Sequence, residues 1–256
     1  YERMPKYWST VIHRVCMRFL LDIRVEAETR NVSTHPHDFR PVESGELILC
    51  IANHPTTLGA ASFFWFITHH LAPRVLVVAK REHLIYPWFA PFFGWPLWMI
   101  GSGIFIDRRD TESALDSIRR SMARLDHGRE MVILIFPDQH RPTPQRIAHD
   151  CAHYKPDIAA LAYWLFHTSI PHSGGLLALL RGLSYSEHLF RVVNLTSAFS
   201  VENTGIHDAG KLLGARLHFE MEQLPMALSL HEIELRQQLV AMWRRKNILI
   251  ERWRKI

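Results

Sequence analysis

Apolar residues gather along this chain in short unbroken runs, separated by stretches in which they recur every third or fourth position. Leu47 to Ala52 (LILCIA), Val75 to Ala79 (VLVVA) and Met131 to Phe136 (MVILIF) are such runs. Runs this short and this continuous predict strands buried on both faces of a sheet. Between the second and third, Thr111 to Leu125 sets Ala114, Leu115, Ile118, Met122 and Leu125 on one face. Arg119, Arg120 and Arg124 fall elsewhere, which predicts an amphipathic helix. Helices are also predicted for Trp8 to Val25, for Ala60 to Leu71 and from Leu230 to the end. Later strands are predicted at Val192 to Ser197 and Ala215 to Glu222. Strands alternating with helices predict an α/β fold: a mixed, mostly parallel sheet flanked by helices.

Composition narrows the class without changing that picture. The 256 residues are 48% hydrophobic and 21% charged, which excludes whole-chain disorder and fibrous repeats. No repeat or low-complexity linker divides the chain, so a single domain is expected: a helical lead-in over 1–46 and the main body over 47–256. Cys16, Cys50 and Cys151 lie far apart, and no Cys-x-x-Cys occurs, which argues against a disulfide scaffold or a cysteine zinc site. The formal net charge is +5, carried by 24 arginines and only 6 lysines. Arginine forks onto phosphate as lysine does not, so phospholipid head groups and RNA are candidate partners, with codon bias as the alternative. The chain starts at Tyr1, and the expectation is of a fragment, in which any targeting peptide or membrane anchor upstream would be invisible.

Leu84 to Ile106 is long enough to span a bilayer and carries no formal charge. Pro87, Pro91, Pro96, Gly94, Gly101 and Gly103 interrupt it, which argues against a straight spanning helix. Its aromatic cluster, with Trp88, Phe92, Phe93 and Trp95 foremost, suits an acyl-chain groove or a membrane interface. A buried aromatic loop is the competing reading.

Candidate chemistry sits in three places. Asn53-His54-Pro55-Thr56-Thr57-Leu58-Gly59 follows the first buried strand. Gly103-Ile104-Phe105-Ile106-Asp107-Arg108 follows the aromatic segment. Phe136-Pro137-Asp138-Gln139-His140-Arg141 ends a third strand. Sites in α/β folds cluster at such strand ends. In this order and spacing the three resemble the glycerophosphate acyltransferase superfamily, which includes the lysophosphatidic acid acyltransferases. Its pattern is Asn-His-x4-Asp, then Gly-x-x-Phe-Ile-Asp-Arg, then Phe-Pro-Glu-Gly-Thr-Arg. The eukaryotic lysocardiolipin and lysophosphatidylinositol acyltransferases are the branch it resembles most. There a Pro-Arg-Thr-x-Gly-Phe element stands where this chain has Pro171-His172-Ser173-Gly174-Gly175-Leu176. The tail of that branch is matched by Arg216 to Phe219, Leu224-Pro225 and Trp243-Arg244-Arg245-Lys246.

The resemblance implies that His54 is a general base on a lysophospholipid hydroxyl, which attacks an acyl thioester. It implies Arg108 and Arg141 as phosphate ligands. No tightly bound cofactor or metal is implied; acyl-CoA or acyl-carrier protein would be the co-substrate. The chain departs from the pattern at Gly59, where the family has the aspartate that orients the imidazole. Loss of the analogous acid costs about 10⁴ in rate in the serine-protease triad. Asp138 replaces the third-motif glutamate, Gln139 a glycine, His140 a threonine and His172 an arginine.

Two readings follow. In the first, His54 is a vestigial base in a pseudoenzyme that serves as a structural or assembly subunit. The partner is then a large protein or RNA–protein assembly, with a mitochondrial ribonucleoprotein the favoured setting. In the second, the chain is an active, membrane-associated lysophospholipid acyltransferase of the endoplasmic reticulum, with Asp138 or another distant carboxylate reaching His54. Arg236, Arg244, Arg245, Lys246, Arg252, Arg254 and Lys255, interleaved with Trp243 and Trp253, read as a surface for RNA or anionic membrane, or as a solvated helix face. His140, His149, Cys151 and His153 do not have the spacing of a common zinc site.

Overall fold

A computed structural model describes residues 4–14, 22–30, 46–54, 57–72, 74–87, 90–107, 110–124, 130–138, 142–153, 166–184, 190–201, 210–224 and 228–255. Seven strands form one sheet: β1 (Arg24–Arg30), β2 (Leu47–Ala52), β3 (Val75–Lys80), β4 (Gly103–Ile106), β5 (Met131–Ile135), β6 (Phe190–Phe199) and β7 (Arg216–Gln223). Their order across the sheet is β1-β7-β6-β2-β5-β3-β4. All neighbours pair in parallel except β6 and β7, which are antiparallel. The helices are α1 (Met4–Ile12), α2 (Thr57–His70), α3 (Trp95–Met99), α4 (Thr111–Ala123), α5 (Pro144–His153), α6 (Gly174–Ser184) and α7 (Glu232–Arg254).

β2 and β5 are apolar at every position, yet their side chains still part by the period of two that a pleat imposes. Leu47, Leu49 and Ile51 of β2, with Met131, Ile133 and Ile135 of β5, join the core beneath α4, α6 and α7. Ile48, Cys50 and Ala52, with Val132 and Leu134, join the opposite core around Phe63, Phe66 and Ile67 of α2. Continuous apolarity is thus the mark of a strand covered on both sides.

Two expectations change. The first helix ends at Ile12, and Arg24–Arg30 is a strand rather than the end of a helix reaching Val25. That stretch (RVEAETR) has no apolar run because, among the described residues, β1 is an edge strand paired only to β7. The C-terminal helix also differs from a uniformly solvated basic face. Trp243, Lys246 and Trp253 lie in its buried stripe, together with Leu239, Val240 and Ile250. The two tryptophans are therefore not presented for base stacking.

Much of the remaining basic charge on α7 is paired locally. Arg236 meets Glu232, Lys255 meets Glu251, and Arg245 meets Glu222. Arg254 donates to His167, whose other ring nitrogen meets Glu251.

Candidate acyltransferase-type site

The end of β2 is fixed by one side chain. Asn53 is buried, and its carboxamide takes over the β6 ladder where the strand stops. Its Oδ1 accepts from the Ser197 N–H at 2.9 Å and its Nδ2 donates to the Ser197 carbonyl at 2.8 Å. At the other end of the same strand pair, Arg191 of β6 meets Glu46 through Nε at 2.6 Å and through its NH2 group at 3.1 Å. Both ends of the β2–β6 pair are therefore pinned, and the residue after Asn53 leaves the sheet in a set direction.

That residue is His54. Its half-buried ring lies 5.2 Å from the Phe136 ring, which in turn stands edge-on to Phe63. Its main-chain N–H donates to Asp138 Oδ2 at 2.7 Å. Asp138 is buried, and it reaches His54 because β5 lies beside β2 in parallel, so both strands end at the same edge. A carboxylate accepting from an amide in such a place makes a charge-assisted hydrogen bond. The first and third motifs are thereby one structural unit. Gly59, the position of the family's orienting acid, lies in the first turn of α2.

The fourth element joins the same edge. The His172 N–H donates to the Pro137 carbonyl at 2.9 Å, and α6 starts two residues later at Gly174. Between α4, α6 and the ends of β3, β4 and β5 lies a cavity of about 790 Å³. Its apolar walls are Val78, Ile106, Leu115, Ile118, Ile135, Leu177 and Ala178. Phe136, Pro137, His172, Gly174 and Gly175 also line it, as do Arg119 and Arg181. Phe136 therefore touches both the His54 ring and the cavity.

Behind the β2–β6 junction sits a lysine that the hydrophobic pattern did not single out. Lys246 of α7 is fully buried, with its ammonium 5.0 Å from the Trp243 ring centroid. Its Nζ donates to the Leu195 carbonyl at 2.7 Å and, more weakly, to the Ile51 carbonyl at 3.4 Å. Burial pushes its pKa down to about 7, against the opposing pull of Cys50, Asp138, Glu222 and Glu220. Burial pushes the Cys50 thiol up to about 12, with the Lys246 charge acting the other way. A helical spacing of three and four through Leu239, Trp243, Lys246, Ile250 and Trp253 was the available signal. The charge concealed it.

The other expected site residues divide as follows. Arg108, Arg141 and Trp88 lie outside the described residues, as does the side chain of Phe92. Phe93 packs edge-on against Trp8 of α1. Trp95 is half exposed, and its indole N–H donates to the Leu84 carbonyl. Neither Phe93 nor Trp95 lines the cavity beneath α4 and α6.

A seven-stranded, mostly parallel sheet flanked by helices, with His54 and Asp138 at adjoining strand ends, defines an α/β fold. The Acyltransferase family model matches residues 28–172, more than half of the chain, and the chain belongs to that family. No curated protein matches it.

Proposed function

We propose that this chain binds an acyl lipid at the His54 edge of the sheet and transfers the acyl group poorly or not at all. The binding half rests on the cavity, whose size and apolar lining suit a hydrocarbon chain. Phe136 links that cavity to the His54 ring. The impaired-transfer half rests on Gly59: a residue without a side chain has nothing to orient an imidazole. The observation that carries the reading is the cavity joined to the His54 ring through Phe136. The carboxylate that strand pairing brings to His54 accepts from its main-chain N–H. Such a bond fixes the backbone at His54.

The test has two arms. The purified chain is mixed with a fluorescent long-chain acyl probe, and then with acyl-CoA and a lysophospholipid. Probe binding is expected, and Gly175→Leu, which fills the cavity from α6, should weaken it about tenfold or more. Acyl transfer is expected near background and unchanged in His54→Ala. Transfer that is well above background and abolished in His54→Ala would establish a working lysophospholipid acyltransferase. That second reading is favoured by the retention of His54 and by the place of Asp138 beside it. A role as an assembly subunit is the use to which a binding-only chain would be put. It predicts co-purification with a larger particle.

A further inference from the structure

Exposed apolar side chains concentrate on two neighbouring elements. Ile85 (75%), Tyr86 (56%), Trp95 (51%), Trp98 (64%) and Met99 (68%) are exposed along the connection from β3 to β4. Beside it lies α1, joined to this connection by the edge-on contact of Trp8 with Phe93. Tyr7 and Val11 of α1 are also exposed, four residues apart and so on one helix face. Single exposed hydrophobics are ordinary, but a cluster that includes two tryptophans and a tyrosine marks a contact surface.

The connection is not a loose loop. A Cβ on Gly94 would lie 2.1 Å from the His83 carbonyl oxygen, so only glycine allows the chain to close on itself there. The Trp95 indole N–H is engaged by the Leu84 carbonyl. Trp95 can therefore enter an apolar layer without stripping water from a bare N–H, a step that is otherwise costly.

Charge selects the occupant. Lys6, Arg14 and Arg81 are exposed on these elements. Across residues 4–14 and 80–106 the sequence holds a single carboxylate, Glu82, and that residue is only partly exposed. Aromatic and aliphatic groups with basic residues and almost no acid are the composition of an interfacial face on an anionic leaflet. Among the described residues no helix is long and apolar enough to cross a membrane.

We propose that α1 and the 85–99 connection form a docking face for an anionic lipid bilayer, with Ile85, Trp98 and Met99 entering the interface and Lys6, Arg14 and Arg81 meeting the head groups. The inference rests on the acyl-lipid reading only for its purpose, and its test is independent of it.

Vesicles of phosphatidylcholine, with and without phosphatidylserine, are sedimented with the full chain, and tryptophan emission is recorded. Binding that grows with phosphatidylserine, falls with salt and shifts emission to the blue is expected. The triple variant Ile85→Ser, Trp98→Ser, Met99→Ser alters only exposed side chains, and should bind about a hundredfold more weakly. Lys6→Glu with Arg81→Glu should remove the preference for phosphatidylserine. A chain that stays in the supernatant with both vesicles overturns the proposal. So does a correctly folded triple variant that binds as the parent does, or a preference unchanged in the charge variant. The acyl probe, measured without vesicles, separates the two readings. Probe binding without vesicle binding removes the docking face alone, and vesicle binding without probe binding removes the cavity reading alone.

Discussion

On one face of the sheet Phe66 stacks on Phe219 at 4.6 Å and Phe63 meets the same ring edge-on at 5.4 Å. On the other, Glu220 and Glu222 of β7 are buried beneath α7, with Arg245 and Lys246 brought down onto that region. The strands are the same; only the direction of the side chain differs. Leu217, Phe219 and Met221 of β7 point to the aromatic core, while His218, Glu220 and Glu222 alternate with them. Apolar packing is non-directional and tolerates small shifts. A buried ion cluster depends on each partner being present, because removing one strands the others in a low dielectric. The His54 edge is pinned from this second, polar face, through Lys246 on the Leu195 and Ile51 carbonyls.

That contrast can be broken by mutation. The largest loss is expected from Phe66→Ala, at about 3–5 kcal/mol, since a fully buried ring leaves a cavity. Lys246→Met keeps the volume and should cost about 1–3 kcal/mol, because the buried Leu195 and Ile51 carbonyls lose their donor. Urea unfolding of both variants measures the two values. A Lys246→Met protein as stable as the parent would mean that the polar face is held by packing alone.

Dependence on pH sharpens the contrast further. The native Lys246 pKa of about 7 lies below the ordinary 10.5, so between these values the unfolded chain holds a proton that the native chain has shed. Stability therefore rises with pH from about 7, with a limiting slope of about 1.4 kcal/mol per unit. Cys50 acts in the opposite sense, because its thiol is raised from 9.0 to about 12. Above pH 9 the unfolded chain loses a proton that the native one keeps, and stability from this source falls. The rise should thus be confined to about pH 7–9, vanish in Lys246→Met and extend to higher pH in Cys50→Ala.

Smaller effects follow at the edges. Asn53→Ala removes the bracket on Ser197 and leaves buried main-chain groups without it, for about 1–3 kcal/mol. The same variant should loosen the His54 backbone, seen as faster amide exchange there. Arg236→Ala, which breaks a partly exposed pair with Glu232, should cost under about 0.5 kcal/mol.

Much of the frame was legible. LILCIA and MVILIF became β2 and β5, and the amphipathic stretch after Thr111 became α4. Motif order made His54 and Asp138 candidate site residues and offered Asp138 as a carboxylate reaching His54. That it meets the main-chain N–H was decided by two strands distant in sequence becoming neighbours. β1 was hidden because an edge strand needs no apolar run. Gly103–Ile106 was noticed for its motif and not as a strand, being only four residues long.

The sequence by itself determined which segments must be covered on both sides, because no other environment accepts five or six consecutive apolar residues in extended chain. It also determined that position 59 offers no carboxylate. Only the tertiary structure decided that Lys246 belongs to the core and not to the solvent, that Asn53 finishes the strand ladder on Ser197, and that Asp138 grips the His54 main chain. Hydropathy assigns each residue the environment it prefers alone. A buried charge is tolerated only by partners that folding assembles, and their identity is written in no local pattern.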